Sequence, residues 1–191
     1  MLSYTSNSNY AQSNSDPRYY NEAFTYGAYN KATHTSCKDL PNANEMSWYA
    51  MYGDPRWDYD ELWTTMGHLY KGGMWFKKKS VLQAENHYNT EKSADGTTDL
   101  RTTFKNYDNN NSSSIQSGVP SAADANKYFY LPSLGFYRSG QLDSFGSCGY
   151  WSSSANPRIS NGAISLYFSS AYVTVTNFDR SDGFRVDPSF E

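Results

Sequence analysis

Ile164-Ser165-Leu166-Tyr167-Phe168-Ser169-Ser170-Ala171-Tyr172-Val173-Thr174-Val175-Thr176 alternates apolar and polar side chains on either side of a short connection. Successive side chains of a β-strand leave on opposite faces, so a period of two is the mark of a half-buried strand. Two such runs joined by a short link predict an antiparallel hairpin with one face in the core. Ile164, Leu166, Phe168, Val173 and Val175 are expected to point inward, and Ser165, Tyr167, Ser169, Tyr172, Thr174 and Thr176 outward.

The hairpin lies in a stretch of unusual composition. From Leu142 to Phe190 there is no Lys, Glu, Gln or Met, whereas residues 1–141 carry nine Lys, five Glu, four Gln and five Met. At that rate about eight would fall in the 49 residues of the stretch, which makes the deficit a strong departure from ordinary composition. Strand-rich segments are poor in these residues because they favour helices, which accounts for part of it. The four absent types also share a property: with Trp, they are the amino acids that codons ending in a pyrimidine cannot encode. What remains is Ser, Tyr, Asn, Asp, Thr, Arg, Gly, Phe and small aliphatics, the palette of a contact surface rather than of a catalytic pocket.

Upstream, Leu40 to Gly53 predicts a helix. Asn42 caps it with Glu45 three residues on, Met46, Tyr49 and Ala50 make an apolar stripe, and Gly53 stops it. A second helix is expected after Asp58 or Asp60, with Leu62, Met66, Leu69 and Tyr70 on one face and Gly72-Gly73 as its end. Residues 86–126 read as a long polar insertion, functional or disordered, and Tyr128–Pro132 as a short buried strand ending at proline. Trp48, Trp57, Trp63 and Trp75 read as core builders, and Trp151 as an anchor beneath the hairpin. Lys77-Lys78-Lys79 reads as a solvated face. The fold class expected is α+β: two amphipathic helices packed on a small twisted antiparallel sheet with long loops.

The 191 residues suffice for one core, and the formal net charge of −3 argues against nucleic acid as a partner. No apolar run approaches the roughly 18 residues a membrane helix needs, so membrane insertion is not expected. Met1-Leu2-Ser3-Tyr4-Thr5-Ser6 lacks a basic and then apolar leader, so no signal peptide is expected. Residues 1–36, rich in Ser, Asn, Thr and Tyr, read as a linker or irregular segment, and residues 37–191 as the folded domain. Eighteen tyrosines give more amphipathic contact surface than a core of this size needs. Cys37 and Cys148 could be bridged or could be two separate buried thiols.

Three segments carry a resemblance. Leu40-Pro41-x-x-x-Glu45-x-x-Trp48 resembles the helix start of the formylglycine-generating-enzyme type of C-type lectin fold. Gly149-Tyr150-Trp151-Ser152-Ser153-Ser154 resembles the Gly-Tyr-Trp-Ser-Ser segment of that domain, and Arg180-Ser181-Asp182-Gly183-Phe184-Arg185-Val186 resembles its Asn-Arg-x-x-Gly-Phe-x-Val ending. The resemblance spans about residues 37–187 and implies a C-type lectin-like fold. Within that fold the chain is most similar to the variable proteins of diversity-generating retroelements, in which adenine-templated mutagenesis rewrites codons near the C-terminus. The resemblance implies a variable region at about 150–186 whose ligand-binding slots are Ser165, Tyr167, Ser169, Tyr172, Thr174, Thr176, Asn177, Phe178, Asp179, Ser181, Asp182 and Arg185. Asn is sparse there, which suits an already diversified copy rather than the template state.

What the family implies is non-enzymatic recognition of a protein or glycan ligand on a cell surface. The chain would be the adhesin domain of a bacterial surface or pilus protein, or a phage receptor-binding tip, and so part of a larger extracellular or virion protein. Alternatives are a structural pilus or virion subunit, or a calcium-dependent glycan-binding module. The fold's namesake oxidase uses a close pair of cysteines at copper, and Phe184-Arg185-Val186 lacks the cysteine placed near there. His34, His68 and His87 all precede the C-terminal region, and His68 reads as a packed or surface residue rather than a base. No cofactor is expected. Asp179-Arg180-Ser181-Asp182-Gly183 and Asp108-x-Asn110-x-Ser112 offer oxygen ligands for a structural calcium, but too few for a full cage, and turn chemistry explains them as well. Tyr167, Tyr172 and Phe178 are expected to be exposed contact aromatics whose joint replacement by Ser leaves thermal unfolding nearly unchanged.

Overall fold

Helix α1, Ala43–Tyr52, starts where the capping box places it: the Asn42 side chain accepts from the Glu45 amide, and the Glu45 carboxylate accepts from the Asn42 amide at 2.7 Å. The computed structural model describes residues 37–65, 67–110, 114–139, 141–143, 146–159, 161–187 and 190, so the expected N-terminal segment 1–36 lies outside the described residues. Gly53 does end the helix, but in a right-handed conformation (φ −69°), and Asp54 makes the left-handed step (φ 46°). Glycine is required there by space: a Cβ would sit 2.2 Å from the Tyr49 carbonyl oxygen.

The expected stripe of Met46, Tyr49 and Ala50 is fully buried, and the rest of the helix from Ala43 to Ala50 is buried as well. Its polar side is covered by the insertion. Asn44 donates to Asp99 and accepts from the Leu100 amide, Ser47 accepts from the Ala94 amide, and the Trp48 indole N–H donates to the Lys92 carbonyl at 2.8 Å. Residues 88–100 are thus held in place by hydrogen bonds to a helix that is polar where they touch it.

Residues 56–77 correct the expectation of a second helix in this part of the chain. They form strands β1 (Arg56–Thr65) and β2 (His68–Lys77), paired antiparallel with Trp63 opposite Tyr70. Leu62, Leu69 and Tyr70 fit a helical spacing, but Thr64-Thr65 favour strand and Gly72-Gly73 disfavour helix. Met74-Trp75-Phe76 decides the outcome: it must lie in a sheet to bury Met74 and Phe76 together. The second α-helix among the described residues is α2 (Lys79–Ala84), a short turn that seats Leu82 in the core. Lys77, expected merely to be solvated, pairs with Glu85 at 2.7 Å.

The remaining strands are β3 (Tyr107–Asn109), β4 (Gln116–Ser117), β5 (Tyr128–Pro132), β6 (Phe136–Arg138), β7 (Gln141–Asp143), β8 (Ser147–Ala155), β9 (Gly162–Ser169) and β10 (Tyr172–Asp179). The architecture is mixed α+β, with sheets ordered β4-β1-β2-β5 and β3-β10-β9-β8 and a small ribbon β6-β7. Among the described residues all strand pairs are antiparallel except β1 with β4. The β9–β10 hairpin forms with the expected facing: Ile164, Leu166, Phe168, Val173 and Val175 are at most 2% exposed and face α1. Phe168 joins the two large sheets, its ring 5.8 Å from Phe76 and 5.9 Å from a stacked Tyr150.

Candidate functional site

The pleat that turns Leu166 and Phe168 inward turns Tyr167 and its neighbours toward the other face of the β3-β10-β9-β8 sheet. That face is half covered. Gly149 lies beside Tyr167 in the next strand, and Phe184 lies so close over it that a Cβ on Gly149 would be 2.2 Å from the Phe184 ring. Phe184 is 4.7 Å from Trp151, 4.7 Å from Phe178 and 4.9 Å from Phe136, an aromatic cluster that caps β8 and β9. The chain reaches this position through backbone bonds: Arg185 donates to the Gly149 carbonyl, and Trp151 donates to the Arg185 carbonyl at 2.9 Å. Gly183 and Tyr137 exchange two more.

Several expected contact residues are therefore part of the scaffold. Ser165 does not point to solvent as expected. It is fully buried beneath the cap, and its hydroxyl finds no partner among the described residues. Asp182 is 5% exposed and is clasped by Arg138 through two hydrogen bonds of 3.0 Å. Asn177 accepts from the buried Asn156 amide at 2.8 Å. Tyr167 and Phe178, expected to be exposed, are half-buried with ring centroids 4.9 Å apart, and the Tyr167 hydroxyl bonds Ser147 at 2.8 Å.

The partly open remainder of the face lies along β10, where Tyr172, expected to be exposed, is half-buried like Thr174 and Thr176. Tyr172, Thr174 and Thr176 line up with Ser169 and are flanked by Asn106 and Asp108 beside β3. Thr174 bonds Asp108, and Thr176 donates to Asn106 at 3.0 Å. Tyr172 stacks on Tyr167 at 5.9 Å, and burial of its hydroxyl together with a hydrogen bond to Tyr167 pushes its pKa up to about 12. Asp179, Ser181 and Arg185 are exposed at one end.

Past the cap, an open groove of about 270 Å³ separates the tip of the β1–β2 hairpin from the β6–β7 ribbon. One wall is Trp63, Thr65 and Tyr70, with Trp63 and Tyr70 stacked at 4.8 Å, and the other is Phe136, Tyr137 and Leu142. Phe184 and Arg185 close one end. The reading of Trp63 as core and Tyr70 as helix face hid this groove; the signal available was the even placing of the two aromatics in the sequence on either side of Met66-Gly67.

The candidate chemistry of single groups is modest. Cys148 is a buried thiol, not joined to Cys37, and burial pushes its pKa up to about 12, so it stays protonated at neutral pH. His68 is exposed on β2, and His87 stacks on Tyr52 at 4.1 Å. Asp179 accepts from Asn161 at 2.9 Å, and Ser112 of the second oxygen-rich run lies outside the described residues. Among the described residues no three His, Cys, Asp or Glu side chains gather as a metal site would require. No known protein family, curated protein or solved structure matches the chain.

Proposed function

We propose that residues 37–191 are a non-enzymatic recognition domain of C-type lectin-like fold, and that the chain is a variable protein of the diversity-generating-retroelement kind. Its ligand would be a protein or glycan on a cell surface. The domain would serve as an adhesin tip of a bacterial surface or pilus protein, or as a phage receptor-binding module, carried by residues 1–36. The observation that supports this reading is a coincidence of two boundaries. The stretch without Lys, Glu, Gln or Met, 142–190, coincides with β8, β9, β10 and the segment that caps them, while α1 and the β4-β1-β2-β5 sheet lie outside it. Within the stretch, Ser181 and Arg185 are exposed and Ser169, Tyr172, Thr174 and Thr176 half-buried, all away from the packed inner face of Leu166, Phe168, Val173 and Val175, so changing them leaves that inner face intact. Tyr next to small hydroxyl residues is also the composition that contact loops use.

A library in which Ser169, Tyr172, Thr174, Thr176 and Ser181 are drawn from pyrimidine-ending codons tests the reading. Most members are expected to unfold within about 5 °C of the parent, since surface changes away from special features stay within about 0.5 kcal/mol each. Selection against unrelated cell-surface proteins is expected to yield binders. A library that is mostly misfolded, or one that folds and yields no binder to any target, counts against it.

A further inference from the structure

We propose that the groove ending at Arg185 is a binding subsite for a sugar ring that bears a carboxylate, of the uronic or sialic acid type. At about 270 Å³ it lies just under the roughly 300–1,000 Å³ of sites that enclose drug-sized ligands, which fits one ring-sized group rather than an extended chain. Its walls are flat aromatic surfaces, Trp63 and Tyr70 on the hairpin and Tyr137 on the ribbon. The indole N–H of Trp63 is spent on the Gly72 carbonyl at 2.8 Å, which fixes the ring that the groove presents. Such rings suit a pyranose, whose C–H face is apolar while its rim is polar.

Among the described residues, Arg185 is the only charged residue in the lining, and no carboxylate accompanies it there. Behind it, the Asp187 carboxylate, 8% exposed, lies 3.4 Å from the Arg185 Nε and holds the guanidinium in place. A guanidinium carries five N–H donors in a planar fork, so one contact with Asp187 leaves donors for a ligand carboxylate. A wholly apolar ligand would desolvate Arg185 and Thr65 with nothing in return. A bare anion would leave the aromatic walls unused. A ring with a carboxylate satisfies both.

This inference deepens the recognition reading, because the aromatic walls precede residue 142 and Arg185 lies in the compositionally distinct stretch. The test is calorimetric titration of the full chain with glucuronic acid, N-acetylneuraminic acid, glucose and acetate. At least one acidic sugar is expected to bind about tenfold tighter than both glucose and acetate, and this margin is expected to shrink as salt rises. Arg185→Gln is expected to reduce the acidic sugar to the level of glucose, and Tyr137→Ala to weaken acidic and neutral sugars alike. If Arg185→Gln unfolds because Asp187 loses its ion pair with Arg185, Arg185→Lys and the salt dependence of the parent decide the matter. Equal binding of glucose and the acids, acetate binding as well as the best sugar acid, or no saturable binding of any probe overturns the subsite. Any of these leaves the reading of the open β10 face to stand or fall by its own test.

Discussion

Ser165 is a surface residue by pleat and a core residue by burial, and the difference lies in what covers its strand. A hydroxyl sealed with no partner among the described residues carries a desolvation cost, so Ser165→Ala is expected to leave stability unchanged or raise it by up to about 1 kcal/mol in urea unfolding. A loss above about 1 kcal/mol would show that the hydroxyl is bonded, to a buried water for instance. Asn177 is the opposite case. Its carbonyl oxygen accepts from the buried Asn156 amide, so Asn177→Ala is expected to cost about 1–3 kcal/mol by removing that acceptor. Neither outcome was legible in the alternation of the hairpin, because a period of two tells which face a side chain leaves from and not whether that face is wet.

The cap over β8 and β9 is the element that changes the meaning of the C-terminal residues. Phe184 touches four other aromatics, so Phe184→Ala is expected to cost about 3–5 kcal/mol, as large-to-small changes in a packed cluster do. Joint replacement of Tyr167, Tyr172 and Phe178 by Ser, expected from sequence to abolish ligand binding but leave thermal unfolding nearly unchanged, is for the same reason expected to lower the unfolding midpoint by well over 10 °C. Replacing Tyr172, Thr174 and Thr176 by Ser instead is expected to lower it by under about 5 °C. Differential scanning calorimetry on the two triple variants separates them, and equal losses would show that the cap does not stabilise the sheet. Much of the element pattern was legible: the capping box at Asn42 and Glu45, the strand at Tyr128–Pro132 and the β9–β10 hairpin all follow from local chemistry. The β1–β2 hairpin was not, because Leu62, Leu69 and Tyr70 satisfy a helical spacing by accident, and the burial of Met74 and Phe76 that overrides it is a tertiary fact.

The whole molecule is held at its helix by charges as well as by the core. The Arg101 guanidinium beside Asp99, with Asn44, holds the Asp99 carboxyl at about 2, below its ordinary 3.8. Asp95 is held well below its ordinary value too: its burial opposes ionisation, but bonds from Thr98, Thr97 and Lys105 outweigh it. A carboxylate whose pKa is lower in the folded state binds fewer protons there than when unfolded. Its stabilisation is therefore complete above about pH 4 and is lost as pH falls through the folded pKa. Melts between pH 6 and pH 2 are expected to fall steeply below pH 4, with Asp99 contributing about 2 kcal/mol over the full window. Asp99→Asn is expected to be less stable at pH 6 and to have a shallower decline. An equally steep decline in that variant would remove Asp99 from the explanation. These bonds come from residues 88–105, which the sequence shows only as polar and long, since nothing local reveals that a helix buried from Ala43 to Ala50 waits for them.

Recognition by a rewritable face makes a demand that reaches past the folded chain to its gene, and the nucleotide sequence around that gene is the first measurement to make. A diversified face requires a nearby imperfect repeat of the codons for residues 150–186, differing mainly where the repeat carries adenine, with a reverse transcriptase gene close by. The differences are expected to concentrate at Ser169, Tyr172, Thr174, Thr176, Ser181 and Arg185, and to spare Leu166, Phe168 and Val173. No repeat, together with purine-ending codons used freely at those open positions, would contradict diversification and leave the missing Lys, Glu, Gln and Met as strand composition alone.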